Sequence, residues 1–360
     1  MHILHVVGAR PNFMKAAPVL RALRETGAEQ TLVHTGQHYD VNMSDAFFRE
    51  LGMPEPDVNL AVGSGSHAEQ TAEIMIRFEK VAKKYQPDLV LVYGDVNSTV
   101  AAALVCAKLL IRLGHVEAGL RSFDRNMPEE VNRVVTDQLS NILFTPSADA
   151  NDNLRREGVT AEKICLVGNV MIDTLIRFLP IAQAMKNDLP RRYALVTLHR
   201  PANVDDPQML QGILSALSAI HDDVPVIFPV HPRTRHAIRE FGLHTEGIEI
   251  REPLSYLEFL ALQCRATLVI TDSGGIQEEA TYLGIPCLTV RPNTERPVTV
   301  EVGTNTIVGN DVEKLKAETL NILSGRGKKG RLPPLWDGHA SERIASLVAS
   351  RDALPTGAVE

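Results

Sequence analysis

Short apolar runs recur along the chain, and most are followed by a turn of glycine or polar residues and then an amphipathic segment. Runs such as ILHVV, DLVLV and TLVIT are continuous rather than alternating, which is typical of strands buried on both faces of a parallel sheet. The pattern therefore predicts βαβ units. The predicted strands cover residues 3–7, 30–34, 88–92, 114–117, 141–145, 163–167, 193–197, 224–230, 248–252, 267–271, 286–290 and 306–308.

The same alternation of strands and helices begins again near residue 190, which indicates two Rossmann-like α/β domains. Predicted helices cover residues 12–26, 67–84, 99–113, 207–221, 277–283 and 340–353, and a further helix contains EEVNRVVTDQL. We assign the N-terminal domain to residues 1–168 and the C-terminal domain to residues 169–339, with the helical segment 340–360 joining the N-terminal domain. A length of 360 residues fits two domains at about 150 residues each.

Composition excludes several classes of protein. Hydrophobic residues make up 44% of the chain, too many for a disordered polymer, and the net charge of −7 is wrong for a general nucleic-acid binder. The apolar runs are too short to span a membrane, which needs about 18 apolar residues. The cysteines lie in apolar or strand-like runs with no metal-binding spacing, so we expect buried free thiols in the cytoplasm. They are Cys106, Cys165, Cys264 and Cys287.

Candidate chemistry follows the predicted strands, because ligands of doubly wound sheets bind beyond the carboxyl ends of the strands. The turn Ser273-Gly274-Gly275 opens a helix and suits a phosphate, although it is also compatible with a simple tight turn. Arg10 and Lys15 follow the first strand, where they either bind an anion or are exposed charges at a helix start. No GxGxxG follows the first strand, and no GxxxxGK[ST] occurs.

Carboxylates and histidines complete the candidate set. Asp95 and Glu117 each follow a strand, and Glu130 opens a helix beside Glu129, where acidic residues also serve as ordinary complements of the helix dipole. Carboxylates that converge at one sheet edge can share protons and take raised pKa values, which suits acid–base catalysis. His199 precedes an arginine, and such a pair can meet a phosphate. We interpret His115 and His231 as structural.

The motifs that carry these residues resemble, in series, those of the non-hydrolysing UDP-N-acetylglucosamine 2-epimerase family. They run from residue 8 to residue 305 and include GARPNFMKAAP, TGQH, VYGDVNST, GHVEAGLRS, MPEEVNR, GNVMIDTL, VTLHRP, FPVHPRT, TDSGGIQEEA and TERPVTVEVGTN. The resemblance implies the GT-B fold, with two Rossmann-like domains that face each other across a cleft. It also implies a homodimer that binds a UDP-sugar, without nucleic acid, membrane, metal or redox cofactor.

The reaction implied by the resemblance is inversion at C2 of a UDP-linked 2-acetamido sugar, with UDP-GlcNAc to UDP-ManNAc as the first expectation. UDP is eliminated to leave a 2-acetamidoglucal, and it adds back after reprotonation from the other face. Some relatives act instead on a UDP-2,3-diacetamido uronic acid. Asn12, where many members have glutamate, and the short segment between Arg121 and Pro128 lie near the expected sugar side and leave these substrates open.

Matching the family motifs residue by residue implies roles for individual side chains. The catalytic set is Asp95, Glu117, Glu130 and His199. The substrate-binding set is Arg10, Lys15, Asn97, Arg133, Phe259, Ser273, Gly274, Gly275, Glu279, Glu295 and Arg296. Phe259 is expected to stack on uracil, with core packing as the alternative, and Glu279 to hold the ribose. Gln37 and His38 match an activating site of some members. In this chain, however, Pro201 replaces a basic residue that members often have after the His-Arg pair.

Other functions use the same inventory of residues. A GT-B glycosyltransferase would share the UDP site but would not need three carboxylates in the N-terminal half. A hydrolase would release the free sugar if the glucal intermediate escaped. A nucleotide-sugar sensor would not require so many ionisable groups beyond the strand ends.

Overall fold

The computed structural model of the chain describes residues 1–37, 48, 50–186 and 188–351, and these form two compact units. The first unit comprises Met1–Thr174 and the segment that begins at Pro334, and the second comprises Leu175–Pro333. The predicted boundaries lie at residues 168 and 339, so the first unit extends six residues further at both junctions (174 − 168 and 339 − 333).

Asp173 and Thr174 show why the first unit extends beyond residue 168. The Thr174 hydroxyl donates to the backbone carbonyl of Met14 at 2.6 Å. The Asp173 carboxylate accepts hydrogen bonds from the backbone N–H groups of Ala340 (3.2 Å) and Ser341 (2.7 Å), at the start of the C-terminal helix. That helix, Ala340–Arg351, packs against the first helix of the chain, Arg10–Glu25.

Each unit contains a parallel β-sheet. The sheet of the first unit has the order β3-β2-β1-β4-β5-β6-β7, and that of the second has the order β10-β9-β8-β11-β12-β13. The predicted strands are confirmed to within two residues at each end, and a short edge strand, β3, was not predicted. The strands β1 to β13 are His2–Val7, Glu29–His34, Val58–Asn59, Leu89–Tyr93, Leu113–Val116, Ile142–Thr145, Ile164–Leu166, Ala194–Thr197, Val226–Pro229, Ile248–Arg251, Leu268–Thr271, Cys287–Thr289 and Asn305–Ile307.

The central strands are continuous apolar runs because helices cover both faces of each sheet. All five residues of β4 are buried, and so are the first three of the four residues of β8; the last, Thr197, is half-buried. The described helices α1 to α14 are Arg10–Glu25, His67–Tyr85, Asn97–Leu109, Pro128–Leu139, Ala148–Arg156, Val170–Ala184, Pro201–Val204, Pro207–His221, Pro232–Glu240, Tyr256–Gln263, Gly274–Leu283, Pro297–Glu301, Val312–Leu323 and Ala340–Arg351.

The predicted helix 99–113 was wrong at its end. Helix α3 stops at Leu109, because Leu110 takes a left-handed conformation (φ 57°) and the chain enters β5 at Leu113. The apolar run that continued the helical pattern therefore belongs partly to a strand.

Several helices were missed by the hydrophobic pattern. Helix α9 contains mostly charged residues, and its available signal was Pro232 at the first position after the capping residue His231. Helix α10 begins with a capping box, in which Ser255 and Glu258 satisfy each other's backbone N–H groups. None of the described helices has the length and the apolar character needed to cross a bilayer.

The four cysteines are free thiols. Cys106, Cys165 and Cys287 are buried as predicted, but Cys264 is half-buried because it caps the C-terminal end of α10 near the surface.

Candidate active site

In the first unit, a buried ion pair lies beyond the ends of β1, β4 and β5. The Lys15 ammonium contacts the Glu117 carboxylate, and both side chains are more than nine-tenths buried. Gly94 borders the pair so closely that a Cβ atom at this position would lie 2.7 Å from Lys15 Nζ. Glu117 adopts a left-handed backbone (φ 73°), which for a residue other than glycine costs about 1–3 kcal/mol and is typical of functional sites.

A second ionic group joins Asp95 to Glu130 through Arg133. Arg133 Nη2 donates to Asp95 Oδ2 at 2.7 Å, and Arg133 Nη1 donates to Glu130 Oε2 at 3.0 Å. Arg133 and Glu130 are buried, whereas the Asp95 side chain is 27% exposed. The structure therefore brings the predicted carboxylates to one sheet edge, with each of them paired to a cation.

Glu130 also anchors the short segment that follows Arg121. Its carboxylate accepts hydrogen bonds from Ser122 N (3.0 Å), Ser122 Oγ (2.9 Å) and Phe123 N (3.0 Å). Phe123 has a left-handed backbone (φ 58°), which these bonds hold in place. Glu130 therefore holds both this segment and Arg133 in place.

Asn97 and Gln37 belong to a neighbouring buried polar network. Asn97 Nδ2 donates to Gln70 Oε1 (2.9 Å), and Asn97 Oδ1 accepts from Asn132 (3.2 Å). Gln37 Oε1 accepts from the backbone N–H (3.1 Å) and the hydroxyl (2.7 Å) of Ser98. His38, the other predicted activator residue, lies outside the described residues.

Two residues of the first loop differ in their exposure. Arg10 is exposed at the start of α1. Asn12 is buried, and its amide joins the ends of two strands by donating to the Tyr93 carbonyl (2.6 Å) and accepting from Gly8 N (3.0 Å). The Asn12 side chain is thus bonded to backbone groups. An ionised glutamate at this position could not donate the hydrogen bond to the Tyr93 carbonyl.

In the second unit, His199 lies against the buried carboxylate of Asp272. His199 Nδ1 is 3.0 Å from Asp272 Oδ1, and Asp272 Oδ2 accepts from Arg200 N (2.8 Å) and Asn203 Nδ2 (3.1 Å). Burial acts to raise the pKa of Asp272, but hydrogen bonds and the charge of His199 hold that pKa below its usual value. The ionised carboxylate therefore accepts a hydrogen bond from His199 Nδ1 and orients the ring.

The predicted phosphate turn precedes α11, but one of its donors is already used. Ser273 N donates to Thr271 Oγ1 at 2.9 Å. Gly274 and Gly275 open the helix, where backbone N–H groups have no partner within the helix. A Cβ atom at Gly274 would lie 2.3 Å from Arg296 Nη1, so only glycine fits beside this guanidinium.

Arg296 belongs to a buried ionic cluster beside this turn. Its guanidinium contacts Glu278 Oε1 (2.8 Å) and Glu295 Oε1 (2.5 Å). Glu295 Oε2 is in turn 2.8 Å from Arg291 Nη2. Arg296 is thus held next to the helix N-terminus, which is a favourable arrangement for an anion.

Glu279 is buried further along α11. Tyr256 donates its hydroxyl to Glu279 Oε1 at 3.0 Å. Burial raises the pKa of Glu279 to about 8, with the neighbouring Glu278 charge acting in the same direction. At neutral pH Glu279 is therefore mainly a neutral carboxylic acid.

Phe259 packs against the core of the second unit. It is partly buried against a cluster that includes Tyr193, Leu195 and Leu262. This contact favours the core-packing alternative for Phe259.

The raised pKa of Glu279 predicts how stability depends on pH. The folded protein keeps this proton up to about pH 8, whereas an unfolded glutamate releases it near 4.5. Since the folded state binds more protons between these values, this group lowers the free energy of unfolding as pH rises. We expect Glu279→Gln to gain thermal stability relative to the parent between pH 5 and pH 8, as measured by Tm.

The exposed Glu301→Gln substitution is the matched control for that series, and its Tm difference from the parent should not change with pH. A Glu279→Gln difference that is equally constant across the range would contradict the protonation assigned to Glu279.

Asp272, Tyr256 and Arg291 were not predicted as site residues. Asp272 stands directly after β11, and a carboxylate at a strand end was a usable signal. Tyr256 is 23 residues away from its partner Glu279, so the sequence offered no such signal, whereas Arg291 is four residues before its partner Glu295. Among the described residues, no group of three or more histidine, cysteine or acidic side chains is arranged to hold a metal ion.

Comparison with known sequences reveals close relatives along almost the whole chain. A family model described as UDP-N-acetylglucosamine 2-epimerase matches residues 21–349. The UDP-N-acetylglucosamine 2-epimerase of Methanocaldococcus jannaschii is 45% identical, covering 97% of this chain and 99% of that protein. The UDP-2,3-diacetamido-2,3-dideoxy-D-glucuronate 2-epimerase of Pseudomonas aeruginosa is 44% identical, with the same coverage.

Solved structures give the same result. The fold matches that of the Methanocaldococcus jannaschii UDP-GlcNAc 2-epimerase in complex with UDP-GlcNAc and UDP, with a TM-score of 0.91, 45% identity and coverage of 97% of this chain and 100% of that chain. The Neisseria meningitidis UDP-GlcNAc 2-epimerase bound to UDP-GlcNAc matches with a TM-score of 0.89, 29% identity and the same coverage.

A glycotransferase of kitacinnamycin, only 13% identical, shares the fold alone with a TM-score of 0.61, covering 97% of this chain and 98% of that chain. The predicted α/β class, with two parallel-sheet domains of the GT-B type, is confirmed. The chain belongs to the UDP-N-acetylglucosamine 2-epimerase family.

Proposed function

We propose that the protein interconverts a UDP-linked 2-acetamido sugar with its C2 epimer, with UDP-GlcNAc and UDP-ManNAc as the pair. The observation that carries this proposal is the group of paired carboxylates around Gly94, where Glu117 lies against Lys15 and Asp95 against Arg133. This arrangement occurs in a chain whose relatives at 44–45% identity are named 2-epimerases.

The proposed reaction proceeds by elimination and re-addition. One carboxylate removes the C2 proton, the electron pair forms the C1–C2 double bond, and the C1–O bond to UDP breaks. A proton then returns to C2 on the opposite face, and the diphosphate adds back to C1. The sequence needs two groups that exchange protons at C2 and a site that stabilises UDP while it is free.

Asp95 and Glu117 are the proposed proton-transfer groups. Glu117 pairs with Lys15 and Asp95 with Arg133, and Asp95 retains solvent access. Glu130 is already bonded to Ser122, Phe123 and Arg133, which supports a role in holding Arg133 and this segment. This division of roles separates the three carboxylates that the family motifs group together.

The second unit is proposed to bind UDP. His199, oriented by Asp272 at Nδ1, is proposed to donate a hydrogen bond from Nε2 to the diphosphate as the charge on the diphosphate grows. Arg296 and the first N–H groups of α11 supply further contacts to the phosphates. Glu279 and Tyr256 are proposed to meet the ribose hydroxyls.

Proton NMR of the protein with UDP-GlcNAc in heavy water tests the proposal. We expect UDP-ManNAc to appear with deuterium at C2 in both sugars. Release of free sugar and UDP as the main products would indicate hydrolysis instead. Absence of both new sugar signals and deuterium exchange would contradict epimerisation of this substrate.

The UDP-2,3-diacetamido uronic acid epimerase activity is the second candidate. The Pseudomonas aeruginosa relative with that name is as similar to this chain, at 44% identity, as the M. jannaschii enzyme at 45%. The same NMR assay with this sugar nucleotide, compared by kcat/KM, ranks the two substrates.

We also propose that the protein acts as a cytoplasmic homodimer. Its four unpaired thiols support a reducing compartment. The homodimer is proposed from the family resemblance. Size-exclusion chromatography with light scattering measures the mass in solution, which for a dimer is twice that of the 39.5 kDa chain.

A further inference from the structure

His115 is fully buried in β5, two residues before Glu117, and the proposed reaction does not use it. Its Nε2 atom is 2.8 Å from the Gly94 carbonyl oxygen, and its Nδ1 atom is 2.7 Å from Asp137 Oδ1. A carbonyl oxygen can only accept a hydrogen bond, so Nε2 must carry a proton.

Asp137 contacts the other ring nitrogen. Its second oxygen, Oδ2, is 2.7 Å from Arg121 Nη1 and accepts from Gly119 N at 3.1 Å. Burial acts to raise the pKa of Asp137, but His115 and Arg121 hold it below its usual value. The ionised carboxylate therefore accepts from Arg121 and Gly119 and lies against His115 Nδ1.

Arg121 connects this cluster to the surface. It pairs with the buried Asp137 carboxylate through Nη1 at 2.7 Å, and through Nη2 at 2.6 Å with Glu157, whose side chain is 29% exposed. The buried charges of Arg121 and Asp137 therefore neutralise each other, and His115 is held between the Asp137 carboxylate and the Gly94 carbonyl.

The cluster holds the backbone on both sides of the proposed proton-transfer groups. Gly94 has φ 61°, and its carbonyl is fixed by His115 immediately before Asp95. Asp137 fixes Gly119 N, two residues after Glu117. Glu117 itself has a left-handed backbone, which needs support from its surroundings.

We propose that His115 is a positioning residue, and that its N–H donation from Nε2 to the Gly94 carbonyl sets the position of Asp95 relative to Glu117. This inference rests on the proposed function, because it assigns those carboxylates to proton transfer. It gives a task to a histidine that the sequence pattern indicates only as structural.

Two amide variants of His115 separate the two hydrogen bonds. The amide of glutamine can reach the position of Nε2, and that of asparagine the position of Nδ1. We expect His115→Asn, which loses the donor to Gly94, to lower kcat about 100-fold, the effect of a misplacement of about 1 Å, with little change in KM. His115→Gln, which keeps that donor, should recover most of this loss.

Both variants remove the same buried imidazole ring, so a merely structural role predicts similar losses of Tm and of kcat in the two. Equal kcat values for His115→Asn and His115→Gln, in a wild-type background that epimerises its substrate, would overturn the positioning role. An inactive wild-type protein would instead count against the proposed function.

A measurement on the wild-type protein tests the hydrogen bond to Gly94 without any turnover. In protein labelled with ¹⁵N-histidine, Nε2 of His115 should show a bonded proton, with the signal assigned by its absence from His115→Gln. An Nε2 without a bonded proton would overturn the inference even if the variants fail to fold.

Discussion

Replacement of Glu117 by glutamine is expected to lower kcat by a factor of about 10³, within the range for loss of a general acid or base. Glutamine keeps the size of the side chain but cannot take the C2 proton. It also leaves the buried Lys15 ammonium without its carboxylate partner, so Tm should fall as well. The measurement is the initial rate of C2 deuterium exchange, with UDP affinity measured by calorimetry.

The matched control is Glu129→Gln, which makes the same change of charge next to Glu130 on a half-buried residue outside the proposed machinery. Its rate should stay within about twofold of the wild-type rate, the range of ordinary surface substitutions. If Glu117→Gln exchanged C2 deuterium at the wild-type rate, Glu117 would leave the proton-transfer set, and Asp95 would remain as the candidate.

The second large effect is expected at the His199–Asp272 pair. His199→Gln and Asp272→Asn should each lower kcat by about 10²–10³. The first variant removes the group that stabilises the departing diphosphate, and the second removes the carboxylate that orients the His199 ring. The double variant should be little slower than either single variant, since both changes disable one unit. Steady-state rates of the four proteins complete this cycle.

His236→Gln is the control for that cycle, because His236 is an exposed histidine of the same unit that pairs with Glu240 on α9. Additive losses in the double variant would show that Asp272 supports the fold of the 199–203 segment independently of His199. Melting temperatures of all variants distinguish a general loss of structure from the specific effect.

Local pattern was enough to predict every described strand except the short edge strand β3, and with the strands the residues that follow their carboxyl ends. The apolar runs around Val92 and Ile270 are buried on both faces. A strand buried in this way needs apolar residues at successive positions, and that run is visible in the sequence. Helices such as α9 were not predicted, because their start is marked by capping and first-turn residues and they lack a clear apolar stripe.

The pairing of the site residues could not be predicted in the same way. Arg133 bridges Asp95 and Glu130, but Asp95 is 38 positions away along the chain, and no periodicity relates them. The motif around Ser273 predicted a phosphate turn, yet the hydroxyl of Thr271 occupies one of its N–H donors. Such competition among close polar groups depends on distances of a few tenths of an ångström, which a residue pattern does not contain.

The return of the chain to the first unit at Pro334 has a consequence for biosynthesis. Residues 175–333 are contiguous, so the second unit can fold as soon as it has left the ribosome, while the first unit still lacks α14. Until Ala340 and Ser341 are synthesised, the Asp173 carboxylate has no helix to cap, and the apolar face of α1 that receives α14 stays open to water. The half of the enzyme that begins first is therefore the half that is finished last.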